Sequence, residues 1–190
     1  MAKQYGVDFP EDEAEQVKLD WREANPKIVK LWYDLEEAAS AAIANPGSIY
    51  QVAGDRIMFK VEGDWLYMRL PSGRRLAYYR PKLDGQGKPT YMGIDTYTRR
   101  WMRCKTYGGK LCENAVQAIA RDLLLNSMLH LDADGFDIIG TVHDEAIMEI
   151  DAADEKATYQ QVERLMCWLP KWAEGLPGGV DGFVERRNRK

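Results

Sequence analysis

Apolar residues recur with a helical spacing over the first part of the chain. Ile28, Leu31, Trp32, Leu35, Ala39 and Ala42 recur three or four residues apart or side by side, which is typical of one face of an amphipathic helix. Asp8 is predicted to cap a first helix, and Asn25 followed by Pro26 is predicted to start a second one. The turn-forming run Asn45-Pro46-Gly47 ends the second helix in this prediction.

The pattern changes to that of extended strands from residue 50 to about residue 107. Short apolar runs separated by turn-forming residues predict an antiparallel sheet. Pro71-Ser72-Gly73 is expected to join two of these runs as a hairpin. A further short strand is predicted over residues 91–101, and the main runs are Arg56–Val61, Trp65–Leu70 and Arg75–Arg80.

The last third of the chain predicts a helix followed by a hairpin. Gly108-Gly109 interrupts the extended pattern, and a long helix is predicted over residues 111–131. Two β-rich runs within residues 138–150 then flank the polar triplet His143-Asp144-Glu145 and predict a tight hairpin. The fold class is therefore α+β, with an antiparallel sheet and long packed helices.

Two more elements are predicted after the hairpin. Asp151 is expected to cap a helix that ends at Pro170, and residues 180–184 are expected to form a last strand. The chain closes on the basic run 186–190, either a phosphate contact or a frayed terminus.

Composition narrows the class of protein. The chain has 190 residues, 45% of them hydrophobic, so we expect one domain or two closely packed lobes. There is no run near the ~20 apolar residues of a membrane span and no secretory signal. Cys104, Cys112 and Cys167 form no CxxC pair and are expected to be buried thiols of a reducing, cytoplasmic environment.

Charge is strongly segregated despite a net charge of −4. Residues 69–121 hold 12 Lys and Arg against three acids, a local charge of +9. Six tyrosine and tryptophan residues are interleaved with these charges, between positions 78 and 107. Such a mixture suits a polyanion with stackable bases, although an ordinary solvated basic face has the same composition.

Two clusters are candidates for chemistry. The adjacent acids Asp144 and Glu145 at a hairpin tip would repel each other unless a cation lay between them, which makes the tip either a divalent-metal site or a plain solvated turn. On the long helix, Asn114, Gln117 and Arg121 follow an i, i+3, i+7 spacing and share one face. This face is either a minor-groove reader or simply exposed and polar.

Four segments, in order along the chain, resemble the family A (DNA polymerase I-type) DNA polymerases, with the phage branch most similar. They are Trp21–Trp32, Leu70–Leu76, Thr106–Asp122 and Thr141-Val-His-Asp-Glu145, the last matching motif C of that family. The resemblance implies a helical fingers segment over residues 1–50 and a C-terminal part of the palm over residues 51–190. The motif C hairpin would lie at about residues 138–150.

The resemblance also implies roles for individual residues. In the family the motif C aspartate bridges two Mg²⁺ ions, a role that falls on Asp144, and Glu145 takes the place of the second acid. His143 matches a residue that contacts the primer end. Gln117 matches a glutamine that reaches the minor groove of primer–template DNA, and Asn114 is a weaker match because the family's spacing is commonly four. Arg121 and Lys110 are expected phosphate contacts on grounds of charge and location.

The sequence also departs from the family. Gly140 stands where a larger strand residue is usual, and no match to motif A or motif B appears among the 190 residues. Asp132, Asp134 and Asp137 precede the same hairpin, whereas the family draws its second aspartate from a separate strand. We therefore expect half an active site, holding Mg²⁺ weakly or not at all by itself.

Partners follow from that expectation. Primer–template DNA and a deoxynucleoside triphosphate would bind after completion by an upstream polymerase polypeptide, and exposed apolar surface would otherwise favour self-association. The alternative is a non-enzymatic, truncated prophage remnant that at most binds nucleic acid. A free-standing metal nuclease is a third and weaker hypothesis, because the sequence supplies no second cluster of metal ligands.

Overall fold

The computed structural model describes residues 10–151 and 155–185. It divides into two compact units. The first comprises residues 10–69 and 75–113, and the second comprises residues 70–74 and the described residues from 114 onward. The predicted division into fingers and palm segments stays a prediction.

Two consecutive helices open the first unit. Helix α1 spans Glu11–Ala24 and helix α2 spans Pro26–Ala44, with Asn25 between them and Pro26 in the first turn of α2. The sequence predicted that the side chain of Asn25 caps α2, but it makes no such hydrogen bond. Its Nδ2 donates instead to the carbonyl of Trp21, 2.8 Å away, near the end of α1. The predicted cap Asp8 lies outside the described residues.

A six-stranded antiparallel sheet follows, with its strands in chain order. The predicted strands are present, but residues 91–101 form a hairpin rather than one strand, and a short first strand was not predicted. The strands are β1 (Ile49–Val52), β2 (Ile57–Glu62), β3 (Trp65–Arg69), β4 (Arg75–Leu83), β5 (Pro89–Ile94) and β6 (Trp101–Lys105). One face of the sheet packs on α2, where Leu35, Ala39 and Ala42 are fully buried.

Helix α3 spans Gly108–Ala133 and is longer than predicted at both ends. The hairpin of β7 (Asp137–Val142) and β8 (Glu145–Glu149) forms a separate two-stranded sheet. The hairpin predicted over residues 138–150 is therefore present, as a sheet separate from the six-stranded one. Its assignment to motif C and to a palm stays a prediction.

The C-terminal elements differ from the prediction. Helix α4 spans Glu155–Met166, and a single 3₁₀ turn spans Lys171–Ala173. Residues 180–184, predicted to form a last strand, pair with no strand in the described part of the chain. Residues 152–154, which follow Asp151, lie outside the described ranges, and so does the basic run 186–190. The helix cap predicted at Asp151 and the role predicted for the basic run therefore stay predictions.

The described residues form an α+β fold with an antiparallel sheet, as predicted. No helix in the described ranges is long and apolar enough to cross a membrane. Of the three thiols, Cys112 is buried and Cys104 partly buried, but Cys167 is exposed, contrary to expectation.

Candidate functional site

The polar triplet lies at the tip of the β7–β8 hairpin. Val142 pairs with Glu145, so His143 and Asp144 form a two-residue loop. His143 has a φ of +53°, a left-handed conformation that costs a non-glycine residue energy and recurs at functional sites. All three side chains are exposed, and the hairpin presents the two adjacent carboxylates to solvent.

Gly140 lies beside a β-bulge, two residues before the end of β7. Ile138 pairs with Met148 and Gly140 with Ile147, so Ile139 is the extra residue on β7. Bulges bend a strand and increase its twist, and they are common beside active sites. A Cβ at Gly140 would meet nothing within 4 Å, so crowding does not require a glycine at this position.

The other acids near the hairpin do not complete a metal site. Asp137 is at the opposite end of β7, roughly 17 Å from the tip at the usual strand rise, and pairs across the ladder with Glu149. Asp134 accepts a hydrogen bond from the Nε2 of Gln161. Among the described residues, no group of three or more His, Cys, Asp or Glu side chains is placed to hold a metal ion.

The polar residues of α3 form a continuous stripe, as their spacing predicted. The helix is unbroken from Gly108 to Ala133, so Asn114, Gln117 and Arg121 fall within about 60° of one another around its axis. Gln117 and Arg121 are exposed and Asn114 is partly buried. The stripe is accessible to a ligand at two of its three positions.

Lys110 is placed differently from these residues. It lies in the first turn of α3, in the other compact unit, and its Nζ is 3.0 Å from Glu113 Oε2. The hydrogen bond to Glu113 raises the pKa of Lys110 above its ordinary value. Both side chains are about half exposed, and exposed pairs are worth at most about 1 kcal/mol, so Lys110 can exchange this partner for a phosphate at little cost.

A partly buried ionic cluster, which was not predicted from the sequence, anchors the Pro71–Arg74 turn to α3. Asp122 is 9% exposed and accepts hydrogen bonds from Ser72 Oγ and Arg74 Nε, each at 2.5 Å. Arg74 also donates from Nη2 to the carbonyl of Ala118 at 2.7 Å. This cluster holds the part of α3 that carries Arg121 against the turn. Its signal in the sequence was an acid at helical spacing from Ala115 and Ala118.

Comparisons with known proteins agree with the motif-based resemblance at a coarse level. The chain is 42% identical over 179 residues to a DNA polymerase of Bacillus phage SP02, an alignment that covers 92% of this chain. It covers 27% of the phage protein, so the chain spans about a quarter of the length of that relative. No protein-family model matches the chain, and no solved structure matches it. The chain is thus similar to one portion of a phage DNA polymerase.

Proposed function

We propose that this chain forms part of a template-directed DNA polymerase of family A, in which the β7–β8 hairpin is motif C. The observation that carries the proposal is the tip of that hairpin, where Asp144, in the two-residue loop, and Glu145, the first residue of β8, are adjacent in the chain and both exposed. The similarity to a protein named DNA polymerase, which extends over 92% of the chain, supports the same assignment.

Each candidate residue then has a role in binding or positioning. Asp144 and Glu145 supply oxygen ligands at the reacting end of the primer, and His143, held at φ +53°, positions the primer terminus. Gln117 and Asn114 face the minor groove of the primer–template duplex, whose acceptor atoms an amide group can read. Arg121 and Lys110 contact phosphates, which position the duplex without reading its sequence.

The donor set fits part of the metal requirement of such an enzyme. Mg²⁺ is usually held by one or two carboxylates together with waters and substrate phosphates, and the tip offers two carboxylates. Two ions about 3.5–4 Å apart need a further shared carboxylate, which no described residue near the tip supplies. When bound, Mg²⁺ would activate the attacking hydroxyl and neutralise the leaving pyrophosphate.

The proposal predicts that the 190-residue chain does not extend a primer by itself. Mixing it with a polypeptide that carries the remaining polymerase segments should restore extension of a labelled primer. In that mixture Asp144→Asn should lower the rate about 100-fold or more, because it removes a charge that acts directly at the reacting atoms. The rate is measured by single-turnover primer extension on denaturing gels.

Asp137→Asn is the matched control, since Asp137 is an exposed acid on the same hairpin but about 17 Å from the tip. It should leave the extension rate unchanged. Extension by the unmixed chain would contradict the half-site assignment. An equal loss in both variants would show that the hairpin had been destabilised and not that a ligand had been removed.

A second candidate function is nucleic-acid binding without catalysis. It is favoured by the +9 charge of residues 69–121, a region that excludes the hairpin. In that case Asp144→Asn has no effect on any polymerase readout, while binding to oligonucleotides persists and weakens steeply with added salt.

A further inference from the structure

The two faces of the six-stranded sheet have opposite character. Side chains that alternate along β2 and β3 point to the α2 side, and Phe59, Leu66 and Met68 on that side are at most 2% exposed. The strand register gives the outward set, since residues paired across a ladder point to the same face. Among the described elements of the first unit, no helix or strand covers this outward face.

Three aromatic rings form a strip across the outward face. Trp65 pairs with Tyr79, and Tyr79 pairs with Met92. Met92 pairs with Arg103 on β6, and Trp101 lies two residues before Arg103, so it points to the same face. The ring centroids of Trp65 and Tyr79 are 4.8 Å apart, and those of Tyr79 and Trp101 are 6.3 Å apart. Trp101 is 58% exposed and Trp65 is 38% exposed. We call Trp65, Tyr79 and Trp101 the aromatic strip.

Cations surround the aromatic strip. Arg80, at the β4 bulge, lies 5.3 Å from the ring centroid of Tyr79. Arg103 is held by hydrogen bonds to the carbonyl of Arg80 and to Thr90, both at 3.1 Å. The outward positions of β2–β6 carry six cations and one acid, namely Lys60, Arg69, Arg75, Lys82, Arg103, Lys105 and Glu62. The outward face therefore combines aromatic rings on which bases could stack with a positive charge.

A cleft at one end of the aromatic strip brings these features together. It has a volume of about 520 Å³ and is open to solvent. Tyr79, Met92 and Trp101 contribute apolar surface to its wall. Arg80, Lys82 and Arg103 line the same cleft, together with the single acid Asp64, whose Oδ2 lies 3.5 Å from Arg80 Nε, so the charged lining is positive on balance.

We propose that this outward face binds single-stranded DNA, with bases stacked on the aromatic strip and phosphates paired with the surrounding arginines and lysines. Single strands expose the faces of their bases, whereas a duplex hides them, and flat aromatic rings beside cations suit the former. The choice of DNA over RNA rests on the proposed function. The stacking surface itself belongs to the first unit and does not depend on the motif C hairpin.

The test measures binding without catalysis. A fluorescein-labelled oligothymidylate of about twelve nucleotides is titrated with the full chain in EDTA, with no nucleotide present, and followed by anisotropy. Trp101→Ala should weaken binding about tenfold, since one lost base stack has an effect of that order. Trp101→Phe, which keeps an aromatic ring, should recover most of the affinity.

Trp168→Ala is the matched control, because Trp168 is similarly exposed (52%) but lies after α4 and contacts the ring of His130. It should bind the oligonucleotide like the unaltered chain. Thermal unfolding of each variant, followed by circular dichroism, excludes loss of the fold. Equal weakening by Trp101→Ala and Trp168→Ala would overturn the proposal.

Two further ligands separate the sources of affinity. An abasic oligonucleotide of the same length has the same charge but no bases, so it should bind about tenfold more weakly. Equal binding of the abasic strand would overturn base stacking, and tighter binding of oligouridylate would overturn the assignment to DNA. Because no step requires primer extension, failure here and failure of the polymerase assignment give different results.

Discussion

At the scale of single residues, Gly108 has the tightest steric requirement among the glycines of the described residues. A Cβ built on it would lie 1.9 Å from the carbonyl oxygen of Trp32. The obstacle is backbone, so it cannot rotate away as a side chain would. Gly108 begins α3, and the close approach to α2 that it permits also lets its N–H donate to Glu36 Oε2 at 2.8 Å.

Gly108→Ala is therefore expected to destabilise the fold by about 3 kcal/mol or more, at or beyond the upper end of overpacking costs. Urea denaturation followed by tryptophan fluorescence measures this change. Gly109→Ala is the matched control, because a Cβ there would meet the side chain of Tyr107 at 3.0 Å, and that ring can move. A cost for Gly108→Ala as small as that of the control would contradict the close approach.

At the scale of elements, Glu36 joins three parts of the first unit. It lies on α2 and accepts hydrogen bonds from Lys88, in the loop between β4 and β5, and from the N–H of Gly108 on α3. Burial acts to raise the pKa of Glu36, but these two hydrogen bonds outweigh it and hold the pKa below its ordinary value of about 4.5. A carboxylate whose pKa is lowered by folding stabilises the folded state only while it is ionised.

The stabilisation from Glu36 is thus fully present above pH 4.5 and is lost as the pH falls through the lowered pKa of the folded state. Glu36→Gln should cost about 1.5 kcal/mol at pH 7, the value of a hydrogen bond to a charged group. The difference from the unaltered chain should shrink towards pH 3. Urea denaturation at both pH values checks this, with the exposed neighbour variant Glu37→Gln as control. A difference that stays constant down to pH 3 would refute the linkage.

The sequence predicted elements whose signals are local. Alternation of buried and exposed residues over Ile57–Glu62 and Trp65–Arg69 marks β2 and β3. The turn between β5 and β6 was missed because it has neither glycine nor proline. Asp95 closes it instead, accepting hydrogen bonds from the N–H and the hydroxyl of Thr98, with Arg99 at φ +56°. An aspartate side chain can close a turn in this way, but without glycine or proline the sequence of the turn cannot be told from that of a strand.

In the candidate site too, local patterns could be predicted from the sequence and contacts between distant residues could not. Asp144 and Glu145 could be identified from the sequence because an abrupt polar triplet between two β-rich runs is a local pattern. The Arg74–Asp122 contact joins residues 48 apart in the chain, so no periodicity indicates it. The aromatic strip is equally nonlocal: Trp65, Tyr79 and Trp101 come from three strands, and the register of the sheet alone makes them neighbours.

At the scale of the whole molecule, apolar side chains remain on the surface of the second unit. Leu125 and Leu129 are four residues apart on α3, so they share a face, and they are 41% and 69% exposed. Ile139 on β7 is 56% exposed. Large exposed apolar residues that share a face usually mark an interaction surface, and we expect this one to be covered by a partner polypeptide or a second copy of the chain.

The purified chain should therefore run above its monomer mass of 21.8 kDa in light scattering coupled to size-exclusion chromatography at micromolar concentration. The double variant Leu125→Gln/Leu129→Gln should shift the mass towards the monomer, because polar side chains remove the gain from burying that face. Phe183→Gln, which alters an even more exposed residue (73%) in the C-terminal segment, is the control and should leave the mass unchanged.

A chain that is monomeric before any substitution would show that this surface does not drive self-association. The light-scattering experiment should then be repeated with the polypeptide that carries the remaining polymerase segments. If that polypeptide binds the unaltered chain and the double variant equally well, α3 is not the contact surface.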